Sequence, residues 1–372
     1  MNPIIKWPGG KSREIDKIQP LIPKYDRYIE PFFGGGALFF HLQPKQAAIN
    51  DISESLIQYY NLIKAQDKTL YNLLMCYNNS FNNIVNVCST ESSFLTDTFF
   101  KLKDGEISKE ELATTLQALI SSLSVKINSG FTEKLLMDEI AFEKTLYRMV
   151  EDKFIRTVAN YKKTPFSKED LIENLLTGFT SGYYMYFRQI FNDLNLGKIN
   201  DQTIQYKAAN FYFIREYCYG SMFRYNSKGE FNIPYGGMSY NRKDMQSKID
   251  AMFNREIETL FSDTEIHCSD FEKFFDNVKL TPNDFMFLDP PYDTDFSDYE
   301  GKDFTKFDQE RLAYNLRKTA AKFLLVIKNT DFIHKLYEKD FNIASFDKQY
   351  AYNMRSRNDR DVEHLIITNL PV

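Results

Sequence analysis

The stretch "DFMFLDPPY", residues 284–292, runs an apolar segment directly into an aspartate and two prolines. The apolar residues have the composition of a buried strand, but Pro290 and Pro291 lack the backbone N–H that a sheet ladder requires. The strand must therefore stop at Asp289. Its end brings together a carboxylate, a backbone carbonyl with few alternative conformations, and the aromatic ring of Tyr292.

A second predicted strand ends in glycines. "RYIEPFFGGGALFFHL" predicts a strand over 27–33, a turn at Gly34–Gly36 and a helix from about Ala37, and "AAINDI" predicts a strand that ends at Asn50 and Asp51. Further strands are predicted in "DTEIHCSDFEKFF", "KFLLVIKN" and "EHLIITN", and a helix in "DQERLAYNLRKTA". Strands that alternate with helices at both ends of the chain predict an α/β fold, a mainly parallel Rossmann-like sheet with helices on both faces.

The middle of the chain has a different pattern. Residues 54–258 are mostly helical in periodicity and predict a lobe inserted into the sheet domain, which is thereby split into 1–53 and 259–372. Within the lobe, residues 78–93 are polar and predict a loop. The stretch "YCYGSMFRYNSKGEFNIPYGGMSYNRKD" alternates aromatic and polar residues with glycines at turn positions, which predicts an exposed β-hairpin over 218–243.

Composition narrows the possible function classes. With 372 residues, 43% of them hydrophobic, the chain can bury a large core, and it shows neither an apolar run long enough to span a membrane nor a signal-peptide segment. The four cysteines are scattered without a C-x-x-C pair, which argues against a disulfide framework or a zinc site and predicts a cytoplasmic protein. The net charge of −5 means that nucleic-acid binding requires a local basic patch.

The glycine turn predicts a ligand site, because the ligands of an open parallel sheet bind beyond the carboxyl ends of its strands. Glycines let a ligand approach the backbone, the next helix offers N–H groups, and Asp51 is placed to accept hydrogen bonds from a ribose. Phe39 stands where a dinucleotide-binding G-x-G-x-x-G has its third glycine, so a tight connection without a ligand is the alternative. "IKWPGGKS" is not a phosphate-binding P-loop, since that pattern needs glycine where Ile5 stands.

The D-P-P-Y stretch suits a planar amino group attached to an aromatic ring. Asp289 and a proline carbonyl can accept the two N–H bonds of the amine while its ring stacks on Tyr292. Held in this way, the nitrogen lone pair can be directed at a strong electrophile such as a sulfonium methyl group. An acidic strand end with a proline stop is the alternative, and it explains a lone D-P-P better than the full tetrapeptide in a chain with the glycine turn.

Four stretches, in this order, resemble the Dam-like (D12 class, alpha-group) DNA adenine-N6 methyltransferases: "IIKWPGGKSREI", "YIEPFFGGG", "FRYNSKGEFNIPYG" and "FLDPPY". The resemblance covers residues 1 to about 75 and about 180 to 372. It implies a methyltransferase sheet with an inserted target-recognition lobe. It also implies site-specific methylation of adenine N6 in double-stranded DNA, with S-adenosyl-L-methionine as the cofactor and without a metal.

The resemblance also implies roles for individual residues. Lys11 would pair with the carboxylate of S-adenosylmethionine, Asp51 would bind its ribose, and Asp289 would hold N6 of an adenine flipped out of the duplex. The implied cofactor-binding set is Trp7, Lys11, Glu30, Pro31, Phe32, Gly34, Gly36, Asp51, Asp270, Phe271 and Asp289. The implied catalytic set is Asp289, Pro290, Pro291 and Tyr292.

The predicted hairpin would supply the DNA-binding face. It holds four basic residues and one acid, Glu230, which makes a local basic surface on an acidic protein. By the resemblance, Arg224 reads a base, Tyr219 fills or flanks the gap left by the flipped adenine, and relatives with "RYNxxGEFN" act on sites containing GAT. The implied DNA-contacting set is Lys6, Tyr219, Met222, Arg224, Asn226, Lys228 and Pro234.

Two features depart from the family pattern. Gly220 stands where close relatives have asparagine, and an apparent helical insertion occupies about 76–175. We expect a monomer, and a restriction endonuclease as a partner if the chain belongs to a restriction–modification system. Two alternatives stay open here. An RNA adenine methyltransferase is disfavoured by the basic hairpin, because A-form RNA closes its major groove to such an element. An inactive DNA-binding homologue is disfavoured by the intact motifs.

Overall fold

The computed structural model describes residues 1–132, 134–291, 304–349 and 361–371. The chain divides into two compact units. The first unit joins Met1–Ala65 with Arg255–Val372, and the second is Gln66–Asn254. The lobe expected at 54–258 is thus wider than the second unit, because the helix that follows the second strand packs with the sheet of the first unit.

The first unit is built on a seven-stranded sheet in the order β3-β2-β1-β4-β5-β7-β6. Strands β1 to β5 are parallel, and β7 runs antiparallel between β5 and β6. The strand order reverses between β1 and β4, which is where an open sheet forms its ligand crevice. The strands are β1 Arg27–Glu30, β2 Ala47–Asp51, β3 Thr264–Cys268, β4 Asp284–Leu288, β5 Lys322–Lys328, β6 Asn342–Gln349 and β7 Asp361–Thr368.

Helices cover both faces of this sheet, so the predicted α/β fold is confirmed. The α-helices of the described ranges are α1 Ile15–Ile18, α2 Ala37–Leu42, α3 Glu54–Lys64, α4 Lys68–Ser89, α5 Ser92–Asp104, α6 Lys109–Asn128, α7 Glu139–Tyr161, α8 Lys168–Asn195, α9 Ile204–Tyr217, α10 Gln246–Met252, α11 Arg255–Ser262, α12 Phe271–Val278, α13 Lys306–Lys318 and α14 Asp331–Tyr337. Successive side chains of a strand point to opposite faces. Ile29 of β1 accordingly belongs to the core with Phe274 of α12 and Leu312 of α13, whereas Tyr28 contacts Phe39 of α2.

Two strand predictions need correction. β1 ends at Glu30 rather than at residue 33, because Pro31 has no N–H to continue the ladder. β6, which the sequence pattern did not predict, pairs with β7 at the edge of the sheet. Its residues "NIASFDKQ" mix apolar and charged side chains, as an edge strand tolerates, and they give little periodic signal.

The second unit is helical, and one of its predicted loops is wrong. Residues 78–93 are polar on average, yet α4 continues through them to Ser89. Phe81, Ile84, Val85 and Cys88 recur at the spacing of one helix face and are buried there. Four apolar residues at helical spacing therefore outweigh the run of asparagines, whose side chains mostly lie on the other sides of the helix.

The segment 218–243, which we call the basic segment, is not a regular β-hairpin. It contains two isolated antiparallel bridges, Cys218 to Tyr235 and Tyr225 to Phe231, joined by irregular backbone and short 3-10 turns. Three of its glycines have positive φ, and Pro234 has no N–H to donate. These residues interrupt a ladder that the alternating aromatic pattern alone would favour.

A substitution at Gly36 tests whether the turn between β1 and α2 requires glycine. Its φ is +62°, and a Cβ there would overlap the Phe33 ring. We expect Gly36→Ala to lower the free energy of unfolding by about 3 kcal/mol, because a left-handed conformation costs about 1–2 kcal/mol and overpacking about 1–3 kcal/mol more. Gly105→Ala is the matched control, since Gly105 has φ +79° but a Cβ added there would meet open space. Equal losses in denaturant unfolding would contradict the overlap.

Candidate active site

A cavity of about 210 Å³ lies in the first unit at the carboxyl ends of β1, β2 and β4. The loops that follow these strands and β3 form its walls, together with the N-terminal residues 7–11. Most of the residues predicted for the cofactor and for catalysis lie there. Those that line the cavity are Trp7, Lys11, Glu30, Pro31, Phe32, Gly34, Gly36, Asp51, Asp270, Phe271, Asp289, Pro290 and Pro291. Tyr292 lies outside the described residues.

The glycine turn is fixed by hydrogen bonds from the neighbouring strand and helix. The Gly34 N–H donates to Asp51 Oδ2 at 2.8 Å, and the hydroxyl of Tyr60 donates to the Gly34 carbonyl at 3.0 Å. A Cβ on Gly34 would lie 2.6 Å from Cδ1 of Trp7. The indole of Trp7 therefore packs directly on the backbone of Gly34, in space that any other side chain would fill. This contact places the N-terminal "IKWPGGKS" stretch on the turn.

Asp51 accepts hydrogen bonds from the loops around it. Besides the bond from Gly34, its Oδ1 accepts the Ser53 N–H at 2.9 Å. Burial raises the pKa of Asp51, and the backbone N–H bonds from Ser53 and Gly34 oppose that rise. The neighbouring Asn50 ties the loops after β1 and β3 together, because its side-chain amide donates to the carbonyls of Pro31 and Ser269. Asn50 is a site residue that the sequence analysis did not single out.

Glu30 is the most deeply buried carboxyl of the cavity wall, with only 3% of its surface exposed. Its Oε2 accepts a 2.8 Å hydrogen bond from the hydroxyl of Tyr28. Burial raises the pKa of Glu30 well above its usual range, and the carboxylates of Asp289 and Asp51 raise it further, whereas Tyr28 and Lys11 lower it. Such a group is poised to gain a cationic hydrogen-bond donor, which would compensate its charge.

Lys11 reaches the end of β4. Its side chain is 2% exposed, and its ammonium forms an ion pair with Asp289 Oδ1 and lies 3.4 Å from the Gly9 carbonyl. The prediction that Lys11 pairs with a cofactor carboxylate is not tested by this arrangement and stays a prediction. The ion pair does show that the N-terminal stretch and the D-P-P turn meet across the sheet, although 278 residues separate them in sequence.

Asp270 is engaged by protein groups. Its Oδ1 accepts the Glu272 N–H at 3.0 Å as the N-cap of α12, and Nη2 of Arg311 lies 2.7 Å away. Arg311 also binds Glu272 and Asp308 and lies 4.8 Å from the Phe271 ring, so it joins α13 to α12. The sequence analysis did not predict this role for Arg311, because an isolated arginine on a polar helix is usually exposed to solvent.

Aromatic rings form one wall of the cavity. The centroid of Phe32 lies 5.6 Å from that of Phe271 and 5.6 Å from that of Phe304, the latter in an edge-to-face arrangement. Phe32 and Phe271 were predicted, and Phe304 was not. Rings of this kind can pack against a planar base, since aromatic contacts favour offset or edge geometries.

The charges of the cavity wall favour a cationic ligand. Among the described residues, its lining contains five carboxyl groups and one cation, Lys11; the carboxyls belong to Glu30, Asp51, Asp270, Asp289 and Asp308. Within the ranges that the structure describes, no group of histidine, cysteine, aspartate and glutamate residues has the arrangement of a metal site. In those same ranges no helix is long and apolar enough to cross a membrane.

The basic segment belongs to the second unit, and its predicted DNA-contacting side chains are largely exposed. Arg224 Nε donates to Asn232 Oδ1 at 2.8 Å, and Lys228 sits in a turn whose N–H groups bond to Asn226 Oδ1. Of the remaining predicted contacts, Tyr219 and Pro234 are exposed, Met222 is half-buried, and Lys6 lies half-buried in the first unit.

Arg215 on α9 anchors the N-terminal part of the basic segment. It is 1% exposed, donates from Nη1 to the Met222 carbonyl at 3.0 Å, and its guanidinium stacks 3.7 Å from the Phe223 ring centroid. Beside it the buried Glu216 pairs with Lys243 and Lys248. Lys243 is therefore committed to an internal ion pair rather than to the exposed basic surface that the sequence analysis described.

Comparison with known proteins decides the family. The profile described as D12 class N6 adenine-specific DNA methyltransferase matches residues 7–87 and 122–352. The chain belongs to this family. The methyltransferase is 26% identical over 380 aligned positions to type II methyltransferase M.CviBI of Paramecium bursaria Chlorella virus NC1A, covering 99% of this chain and 100% of the relative. It is 27% identical to type II methyltransferase M.MjaIII of Methanocaldococcus jannaschii, covering 99% of each, and 19% identical to a DNA adenine methylase of Vibrio cholerae, covering 96% and 92%.

Membership implies S-adenosylmethionine as the methyl donor, and the cavity of this methyltransferase fits it. The donor carries a sulfonium and an ammonium, which suit a wall rich in carboxyl groups. Its adenine suits the aromatic wall around Phe32 and Phe271. The profile match is interrupted at 88–121, a range that covers the end of α4, α5 and the start of α6. Part of the predicted insertion at about 76–175 thus lies outside the family pattern.

Glu30 generates a stability prediction. The pKa of Glu30 is raised in the folded state, so between its unfolded-state and folded-state pKa values the folded protein binds more protons than the unfolded chain. The stability that Glu30 contributes therefore falls as the pH rises from the lower of these two pKa values to the higher. We expect Glu30→Gln to gain stability relative to wild type between pH 5 and pH 8, as measured by urea unfolding at a series of pH values. Glu310→Gln, at an exposed carboxyl of α13, is the control. A difference between variant and wild type that does not change with pH would refute the argument.

Proposed function

We propose that the protein transfers a methyl group from S-adenosylmethionine to N6 of an adenine that is flipped out of a short, specific duplex DNA sequence containing GAT. One observation supports this most directly. Asp289 and Pro290, which directly follow β4, line the same cavity as the glycine turn after β1 and Asp51 at the end of β2. An acceptor for an amine and a pocket for a nucleoside thus share one space.

In this proposal the residues after β1 and β2 bind the cofactor. The carboxyl group of Glu30 has acceptor capacity for the donor's ammonium, and Asp51 accepts from a ribose hydroxyl. Phe271 packs on the adenine, and Asp270, whose Oδ1 is already bonded, contributes its second oxygen. Lys11 bridges Asp289 and the cofactor carboxylate, because a lysine ammonium has three donors.

The chemistry is a displacement at the sulfonium methyl. The Asp289 carboxylate and the Pro290 carbonyl accept the two N6–H bonds, which directs the nitrogen lone pair at the methyl carbon. The carbon–sulfur bond breaks as the nitrogen–carbon bond forms, the thioether leaves with its electron pair, and the methylated nitrogen then loses one proton. N6 in a stacked duplex is out of reach of the cofactor, so the adenine must leave the stack, and Tyr292 is the proposed stacking partner.

The basic segment is the proposed DNA reader. Arg224 is exposed and its Nε is anchored by Asn232, which leaves the two terminal nitrogens of its guanidinium for guanine O6 and N7. Lys228 is exposed in the turn closed by Asn226, where it can contact phosphate. A cytoplasmic monomer that methylates DNA, alone or beside a restriction endonuclease, remains our expectation.

The function is tested by incubating the purified protein with tritiated S-adenosylmethionine and three acceptors: duplex DNA, single-stranded DNA and total RNA. We expect label in duplex DNA as N6-methyladenine at one short sequence, which single-molecule sequencing identifies. Label in RNA alone would replace the proposed substrate by RNA. Absence of transfer to any acceptor, with binding retained, would make the chain a DNA-binding homologue.

Asp289 is the first residue to test. We expect Asp289→Ala to reduce turnover by a factor of 100 or more, since loss of a preorganised group at the reacting centre typically costs about 3 kcal/mol or more. S-adenosylmethionine affinity should stay within about tenfold, because the residue is assigned chiefly to the amine. Calorimetric titration gives the affinity. A variant with wild-type turnover would end the proposed mechanism.

Arg224 tests sequence reading. We expect Arg224→Ala to relax discrimination at one base pair by about 1–3 kcal/mol, because a bidentate guanine contact is lost. Lys228→Ala is the matched control in the same segment, and it should weaken binding to all sequences alike and lower the salt dependence. Sequencing of DNA modified by each variant separates the two effects. Unchanged fidelity in Arg224→Ala would show that the base reader lies elsewhere.

A further inference from the structure

Helix α13 carries a fully buried amide next to the D-P-P turn. Gln309 is 0% exposed, and its Nε2 donates a 3.0 Å hydrogen bond to the carbonyl of Pro291. Pro291 follows Asp289 and Pro290 directly and lines the cavity with them. The bond therefore joins a helix that contributes none of the predicted site residues to the turn that would hold the target amine.

Stability alone does not account for a glutamine at this position. Its second polar atom, Oε1, is buried without a hydrogen-bond partner among the described residues. Burying an unsatisfied carbonyl oxygen costs at least as much folding free energy as a typical hydrogen bond contributes. A methionine of the same length would fill the space without that cost. The fold would therefore be served as well, or better, by an apolar side chain.

The bond from Gln309 restrains the one backbone rotation left to Pro291. The proline ring fixes φ of Pro291, so ψ is the backbone angle that remains. Rotation about ψ swings the Pro291 carbonyl and the following peptide unit together, because that unit is planar. A donor held against the carbonyl opposes this rotation and anchors Pro291, the residue that directly follows Asp289 and Pro290.

Gln309 is itself held in place by the start of α13. Thr305 and Asp308 form a capping box at the first turn of the helix. Asp308 then binds Arg311, which also binds Glu272 on α12. The donor of the Gln309 amide thus projects from a helix end that is fastened to its neighbour by charge-assisted bonds.

We propose that Gln309 is a positioning residue for methyl transfer, acting through the carbonyl of Pro291 to hold the D-P-P turn in its reactive orientation. This inference rests on the proposed function. It goes beyond the resemblance-based assignments, which stop at the tetrapeptide itself. Its consequence is a separation of effects: removing the donor should slow the chemical step without weakening either ligand and without destabilising the fold.

The test compares Gln309→Met and Gln309→Leu with Asn210→Leu. Asn210 is the control in the second unit, because it too is 0% exposed, donates from Nδ2 to a backbone carbonyl at 3.1 Å and also to the Tyr77 hydroxyl at 2.9 Å, and has a buried oxygen without a partner among the described residues. The single-turnover rate is measured by rapid quench with tritiated S-adenosylmethionine and unmethylated plasmid DNA. Dissociation constants for the cofactor and the DNA, and the melting temperature, are measured on the same samples.

We expect both Gln309 variants to transfer methyl groups about tenfold more slowly or worse, since small errors of position are costly in a preorganised site. Both dissociation constants should stay within about twofold of wild type, and the melting temperature should be unchanged or higher. Asn210→Leu should keep the wild-type rate. An active wild type with unslowed Gln309 variants would overturn the positioning role alone, as would variants whose slowing follows a loss of melting temperature or is matched by Asn210→Leu. A wild type that transfers no methyl group to adenine would overturn the proposed function and, with it, the positioning role.

Discussion

The parallel pairing of β1 with β2 on one side and with β4 on the other is the constraint on which the candidate site depends. Tyr28 pairs with Ala47 and with Phe285, so the three strands run in register and end at one edge of the sheet. The chain reverses its strand order at this point, and the loops after the strands diverge to leave a crevice. The glycine turn, Asp51 and Asp289 come together only because these strand ends are aligned.

This alignment gathers several carboxyl groups that are buried or half-buried. Glu30 and Asp51 both have raised pKa values, each mainly because burial removes water from the carboxylate. The protein compensates only partly, with N–H donors from the glycine turn, the hydroxyl of Tyr28, and the ion pair between Lys11 and Asp289. Partial compensation suits a site that receives a cationic ligand, because the ligand supplies the missing positive charge.

The second unit shows how a helical unit can present an irregular recognition surface. The basic segment has few regular backbone hydrogen bonds of its own, so it relies on buried residues of α8 and α9. Asn192 on α8 bonds to both the N–H and the carbonyl of Phe231, and Arg215 on α9 bonds to the Met222 carbonyl. Exposed side chains such as Arg224 therefore project from backbone that these buried residues hold in position.

The sequence by itself determined the alternation of strands and helices, the ends of the strands at glycines and prolines, and the family. These properties are local, because glycine conformation, the missing N–H of proline and apolar periodicity each depend on residues that are close together in the sequence. Only the tertiary structure decided the extent of α4 through residues 78–93, the edge strand β6 and the irregular form of the basic segment. The same holds for Lys11 meeting Asp289, for Arg311 joining three carboxylates, and for Gln309 reaching Pro291. Each of those contacts joins residues that are distant in sequence or that carry no pattern of their own, so their geometry exists only once the sheet has been assembled.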